Sequence, residues 1–254
     1  MIFSPSLEIL YRNSSLSFSE QIQQVHDLGF EAFEFWGWWN KDMEELKQLT
    51  RTLDIRAASF CTKPVPLVDA ARRSEFLEGL QESIAMAQSL GCSYLIATTG
   101  NTLENVAIED QLQSVIEGLQ ASAPLLENTG VTLILEPLNA LVDHKGYFLN
   151  TSAEAVQIID AVGSPSVKLL FDVYHQQITE GNLIPNITNY IDRIGYFHIA
   201  DHPGRNEPGT GEINYSNVLE VIRKLGYSGY IGLEFRPTGD VSAALRPWSV
   251  REAL

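Results

Sequence analysis

What most constrains this chain is a phrase that recurs five times: an amphipathic stretch runs into a glycine, and a short β-branched or aromatic run follows. His26-Asp27-Leu28-Gly29 precedes Ala32-Phe33-Glu34-Phe35, and Ser89-Leu90-Gly91 precedes Tyr94-Leu95-Ile96-Ala97. Asn128-Thr129-Gly130 precedes Val131-Thr132-Leu133-Ile134-Leu135, Gly163 precedes Val167-Lys168-Leu169-Leu170-Phe171, and Lys224-Leu225-Gly226 precedes Tyr230-Ile231-Gly232-Leu233. Glycine ends a helix because it enters the left-handed region without a Cβ clash. Each phrase therefore reads as a helix stopping and a strand starting. Helix starts are marked as well. Ser17 with Glu20 and Thr151 with Glu154 have capping-box spacing, and Asn40 and Asn214 stand where each can cap the run that follows.

Further strands at about 2–7, 55–60 and 194–199 bring the number to eight. Strands that alternate with helices need crossover connections and hence a parallel sheet, and unbroken apolar strands suit burial on both faces. The expected fold is α/β: a single-domain (β/α)8 TIM barrel over residues 1–254, a length usual for one such barrel. A doubly wound open sheet is the alternative, but its glycine-rich phosphate loop after the first strand has no counterpart in Ser4-Pro5-Ser6-Leu7.

Composition narrows the partners. A net charge of −15 opposes binding to a polyanion, and the sequence shows no clustered Lys and Arg, so nucleic acid is not expected. No window of eighteen or more apolar residues and no secretory leader is apparent, which points away from a membrane. The two cysteines, Cys61 and Cys92, form neither a metal clip nor a redox pair, and a cytoplasmic home is expected. A homo-oligomer is compatible with such a chain.

Barrel active sites lie at the C-terminal ends of the strands. Four consecutive strands run into an acid or an imidazole there: Leu133-Ile134-Leu135 into Glu136, Leu169-Leu170-Phe171 into Asp172, Tyr196-Phe197 into His198 and Gly232-Leu233 into Glu234. Their spacings of 36, 26 and 36 residues are each close to one βα repeat, so the side chains should converge. Three carboxylates and one imidazole make a hard, mainly oxygen site, suited to one divalent cation, Mg²⁺ or Mn²⁺. Buried together, the carboxylates would have strongly raised pKa values unless a cation offsets them.

Beyond the sixth strand, His175 lies three residues after Asp172 and reads both as structural and as substrate-facing. The loop from Asp201 to Asn214 is rich in Gly and Pro and carries Arg205 as the clamp for a substrate anion or oxygen. His202 and Glu212 in that loop read as solvated or loop-stabilising, and Lys63 and Arg236 are less clearly aimed inward. Trp36, Trp38 and Trp39 follow the second strand and could wall off water, pack a helix or meet another subunit.

Three segments, Leu135-Glu136-Pro137-Leu138-Asn139, Phe171-Asp172-Val173-Tyr174-His175 and Pro208-Gly209-Thr210-Gly211-Glu212-Ile213-Asn214-Tyr215, resemble the hydroxypyruvate isomerase family. The last continues to Gly229-Tyr230-Ile231-Gly232-Leu233-Glu234-Phe235 and is the most specific; the similarity runs from about residue 130 to 237. That family is a branch of the xylose isomerase-like barrels, whose relatives include ketose 3-epimerases and inosose-processing enzymes. The resemblance implies that Glu136, Asp172, His198 and Glu234 ligate the metal and that Glu136 and Glu234 double as the catalytic pair. It implies an isomerase acting on a small hydroxy-keto acid or sugar through an enediolate. Three departures keep the substrate open: Val142, followed by Asp143, stands where relatives often have an acid, His198 resembles the epimerases, and strand three ends Ser59-Phe60-Cys61. A nuclease of the same barrel or a non-catalytic metabolite-binding barrel is the remote alternative.

Overall fold

The computed structural model describes residues 1–249; residues 250–254 of the expected 1–254 span lie outside them. The first half contains β1 (Ile2–Pro5), α1 (Leu7–Leu10), α2 (Phe18–Asp27), β2 (Ala32–Phe35), α3 (Met43–Leu53), β3 (Arg56–Cys61), α4 (Arg73–Leu90), β4 (Tyr94–Ala97) and α5 (Ile108–Leu126). The second contains β5 (Thr132–Leu135), α6 (Ser152–Val162), β6 (Val167–Asp172), α7 (Val173–Thr179), α8 (Leu183–Tyr190), β7 (Ile194–Ile199), α9 (Tyr215–Lys224), β8 (Tyr230–Leu233) and α10 (Val241–Leu245).

All eight strands pair in parallel, in the order β1-β8-β7-β6-β5-β4-β3-β2. A single parallel bridge between Ser6 and Glu34 spans the seam from β1 to β2 and nearly closes the barrel. The five glycines read as helix stops all have positive φ, from 68° at Gly91 and Gly163 to 95° at Gly29. Ser17 and Thr151 form complete capping boxes, and Asn214 caps α9 by accepting from Asn217 N. Asn40 does not cap α3. Asp42 does, accepting from Glu44 N and Glu45 N, because a carboxylate two residues nearer reaches both free amides of the first turn.

Strand alternation determines what fills the barrel. Ala32, Ala58, Ile96, Ile134, Leu170 and Tyr196 form a small apolar cluster of their own, apart from the large core between strands and helices. Successive side chains along a strand point to opposite faces. Two residues beyond Ile134, Leu170 and Tyr196 stand Glu136, Asp172 and His198, so the apolar plug inside the barrel carries the polar site as its next layer. No described helix is long and apolar enough to cross a membrane.

Candidate active site

Glu136, Asp172, His198 and Glu234 converge as the strand-end pattern predicts: one ligand atom from each lies within 4.8 Å of all the others, and all four residues are buried. His198 Nδ1 lies 3.3 Å from Glu136 Oε1 and 3.4 Å from Glu234 Oε2. Asp172 splits its carboxylate between two tasks. Its Oδ1 caps α7, accepting from Tyr174 N at 2.8 Å and His175 N at 3.1 Å, which leaves Oδ2 toward the cluster.

Glu234 is the most heavily restrained of the four. Trp36 Nε1 donates to its Oε1 at 2.9 Å, and Arg205 Nη2 donates to its Oε2 at 2.5 Å. The carboxylates therefore do not behave alike: the rise expected on burial appears at Asp172, whereas nearby cations offset it at Glu234. Burial pushes Asp172 up to about 7, with Glu136 and Glu234 adding to the rise and Arg205 and His198 opposing it. Burial also disfavours the charged form of Glu234, but the Arg205 guanidinium and the His198 imidazole outweigh it and hold that carboxyl below the usual range. For His198, burial opposes the charge, and the carboxylates of Glu34, Glu234 and Glu136 raise its pKa well above the ordinary value.

Arg205 reaches the cluster from a buried loop position at φ 57°. Asp201 braces that loop: its Oδ1 accepts from His202 N and Ile213 N, and its Oδ2 from Gly209 N. Of the two neighbouring polar residues, Glu212 tethers the loop, while the His202 ring keeps a buried Nδ1 with no hydrogen-bond partner. Glu212 N donates to the His202 carbonyl at 2.7 Å, and Glu212 Oε1 accepts from Gln177. Arg205 Cζ sits 5.2 Å from the Tyr174 ring centroid, while its Nε is buried without a hydrogen-bond partner. Lys63 instead pairs with Glu82, and Arg236 lies 3.9 Å from Asp143.

His175 is fully buried, and its protonation follows from its neighbour. Asn139 Oδ1 accepts from Val142 N and Asp143 N, so its amide nitrogen faces His175 Nδ1 at 2.6 Å and must donate. The ring proton therefore sits on Nε2, which has no hydrogen-bond partner and lies 3.6 Å from Asp172 Oδ2. Burial and the Arg205 charge push the pKa of this ring well below its ordinary value, which makes it a neutral donor beside the cluster.

Reading the sequence strand by strand missed Glu34 and left the tryptophans open. Glu34 is 2% exposed, and its Oε1 lies 3.1 Å from His198 Nε2. Its signal was a lone charge inside the apolar run Ala32-Phe33-Glu34-Phe35, two residues before Trp36. The tryptophans divide their labour: Trp36 touches Glu234, whereas Trp38 donates to Ser83 on α4, a packing role. Val142 is exposed, whereas the acid one position later turns inward to two side chains. Asp143 accepts from Asn139 Nδ2 and from Tyr174 OH.

Gly232 makes room for this layer. A Cβ there would stand 2.4 Å from His198 Cδ2 and 2.6 Å from Glu34 Oε2. Gly232→Ala is therefore expected to cost about 1–3 kcal/mol through overpacking. In a thermal melt that lowers Tm by roughly 3–10 °C. An unchanged Tm would mean that the layer yields freely.

The sequence profile of the xylose isomerase-like TIM barrel family matches residues 22–250, most of the chain. The chain belongs to that family. The hydroxypyruvate isomerase of Escherichia coli is 32% identical over 256 residues, covering 96% of each chain. A Xenopus laevis protein provisionally named for the same activity is 40% identical over 179 residues, 68% of this chain and 65% of that protein. The 2-oxo-tetronate isomerase of Cupriavidus necator is 42% identical over 130 residues, 51% of this chain and 50% of that protein. Among solved structures, the family 2 AP endonuclease from Brucella melitensis superposes with a TM-score of 0.91 at 27% identity, covering 96% of both chains.

Proposed function

We propose that this barrel is a metal-dependent isomerase that interconverts a small hydroxy-keto acid of the hydroxypyruvate type and its aldehyde isomer through an enediolate. The isomerase class rests on the relatives, two of which are named for hydroxypyruvate and 2-oxo-tetronate. The observation that carries the chemistry is the convergent Glu136–Asp172–His198–Glu234 cluster. Its donor set fits one Mg²⁺ or Mn²⁺, since Glu136 Oε1 and His198 Nδ1 are buried with no hydrogen-bond partner, a state that a cation would relieve. When bound, the ion supplies Lewis acidity toward the substrate's carbonyl and hydroxyl oxygens.

Chain residues supply the proton transfers and the grip. Isomerisation moves a proton between adjacent carbons, which calls for a carboxylate that takes it and a group that returns it. Glu136 is the better acceptor, because no donor satisfies its Oε1. Two donors hold Glu234 ionised and make it the weaker base, suited to orienting and relaying. Arg205, through its unpartnered Nε, and His175, through Nε2–H, are the donors available to a substrate carboxylate or oxygen. A cytoplasmic setting and independence from nucleic acid belong to the same reading, in keeping with the charge of −15.

The two carboxylates would serve 3-epimerisation of a neutral ketose equally well, so substrate class is the point to test. Nuclease chemistry is less well supplied, since β3 ends on Cys61 and β4 runs into Thr98-Thr99, and neither offers a further histidine. Hydroxypyruvate, a four-carbon 2-oxo acid, a ketohexose and an inosose are incubated with enzyme in D₂O. Solvent deuterium is expected at the exchanging carbon of a keto acid. Beyond the loss that both substrates share when Glu234 is freed, Arg205→Ala should cost the acid about 1–3 kcal/mol more in kcat/KM than it costs a neutral sugar, which loses only an ordinary hydrogen bond to the guanidinium. Exchange confined to the ketose, or equal losses on both substrates, removes the keto-acid assignment in favour of the epimerase.

A further inference from the structure

We propose that Glu34 is a positioning residue that holds the ring proton of His198 on Nε2 and so presents the Nδ1 lone pair to the Glu136–Asp172–Glu234 centre. The inference rests on the metal reading above and extends it to a residue on β2, a strand that contributes none of the four clustered side chains. Glu34 Oε1 and His198 Nε2 stand 3.1 Å apart, both are buried, and neither has another hydrogen-bond partner. The N–H is off the hydrogen-bond line at this distance, and a small rotation of the ring or the carboxylate aligns it.

The other oxygen of Glu34 is fully engaged. Tyr196 OH donates to Oε2 at 2.6 Å and Ser59 Oγ donates at 3.2 Å. With both hydroxyls directed to Oε2, Oε1 is left to accept from the imidazole alone. A neutral imidazole carries one N–H, and the nitrogen that keeps it is set by the partner of that nitrogen. With a cation at Nδ1 the ring keeps a single proton, and the carboxylate at Nε2 holds it there, so that the Nδ1 lone pair, 3.3 Å from Glu136 and 3.4 Å from Glu234, is left for the ion. The opposite tautomer would turn an N–H toward those carboxylates, and such a nitrogen cannot ligate.

The packing leaves the pair little freedom. The register of β2 against β3 shifts between Phe33 and Glu34, and the seam bridge to Ser6 falls on Glu34 itself. Gly232 faces both partners, and its missing Cβ is the space that the imidazole and the carboxylate share. Four strands, β2, β3, β7 and β8, thus contribute to one contact that no single strand displays.

The test compares demetallated wild type, Glu34→Gln and Tyr196→Phe. Mn²⁺ affinity is read from the EPR signal of free Mn²⁺, and the tautomer of His198 from long-range ¹H–¹⁵N spectra recorded at a pH above the raised pKa of that ring, where it is neutral. Glu34→Gln should bind Mn²⁺ about 10–100-fold more weakly and show mixed tautomers. Tyr196→Phe, which keeps the carboxylate beside the ring, should stay within about threefold of wild type with the Nε2–H form alone. Glu34→Asp keeps the charge but withdraws it by one methylene, and it replaces the Gln variant if that one does not fold; weaker Mn²⁺ binding is expected again. The proposal is overturned if the Glu34 variant keeps both wild-type affinity and a pure Nε2–H ring, or if Tyr196→Phe loses as much affinity as Glu34→Gln, which would indicate general loosening of the barrel interior. Should wild type bind no Mn²⁺, the metal reading fails, and the spectra alone decide Glu34: an altered ring in Glu34→Gln upholds its role, and an unaltered one ends it.

Discussion

Replacing Glu136 or Glu234 by Gln is expected to lower kcat by at least ~1,000-fold, because on the proposed mechanism each change removes a proton-transfer group and a charged ligand together. The two variants should differ in everything else. Glu136 Oε1 accepts no hydrogen bond, so an amide there strands no donor, and thermal stability should stay near wild type. Both oxygens of Glu234 accept, from the Trp36 indole and from Arg205. A glutamine can accept with only one of its two terminal atoms, and its amide must face one of those donors. Glu234→Gln should therefore also lower Tm and release Arg205, so that KM for the substrate shifts along with kcat. Steady-state kinetics paired with thermal melts check the pattern. A mild effect on kcat at either position would mean that the pair is misassigned.

Thorough demetallation is expected to abolish turnover while leaving the barrel folded, with Mn²⁺ or Mg²⁺ restoring activity. Loss of activity follows from the need to polarise the substrate and to offset charge developing on it. Survival of the fold follows from the protein's own cations. Arg205 pairs with Glu234, and the pKa of His198 is raised by the surrounding carboxylates, so the buried acids are not left uncompensated. Adding metal at about 100 times its Kd should raise stability by about 2.7 kcal/mol, visible as a concentration-dependent Tm. Full turnover in protein shown by elemental analysis to be metal-free would end the metal-dependent reading. Unfolding on chelation would show that Arg205 and His198 are too weak to hold the carboxylates together.

The barrel and the positions of its four polar strand ends were legible in the sequence because the interactions that specify them are local. A glycine after an amphipathic run, a serine three residues before a glutamate, and a polar residue closing an apolar strand each act over a few residues, and their repetition implied the parallel closure. The period-2 alternation of strands then carried Glu136, Asp172 and His198 inward together. Asn40 shows where local reasoning slips, since two capping residues stood within reach of one helix start and Asp42 offered the better geometry.

What only the tertiary structure decided depends on which strand lies beside which, and at what register. Trp36 and Glu234 are 198 residues apart, and Tyr196 and Glu34 are 162 apart; no spacing rule links either pair. The differing charge preferences of Asp172 and Glu234 likewise come from where Arg205 points, and that is set by Asp201 bracing a loop whose sequence showed only that it could turn. Local hydrogen bonds and side-chain periodicity are written along the chain, whereas the partner of a buried charge is chosen by the closing of the barrel, which brings side chains from distant strands to within about 3 Å of one another in a medium where an unpaired charge is costly.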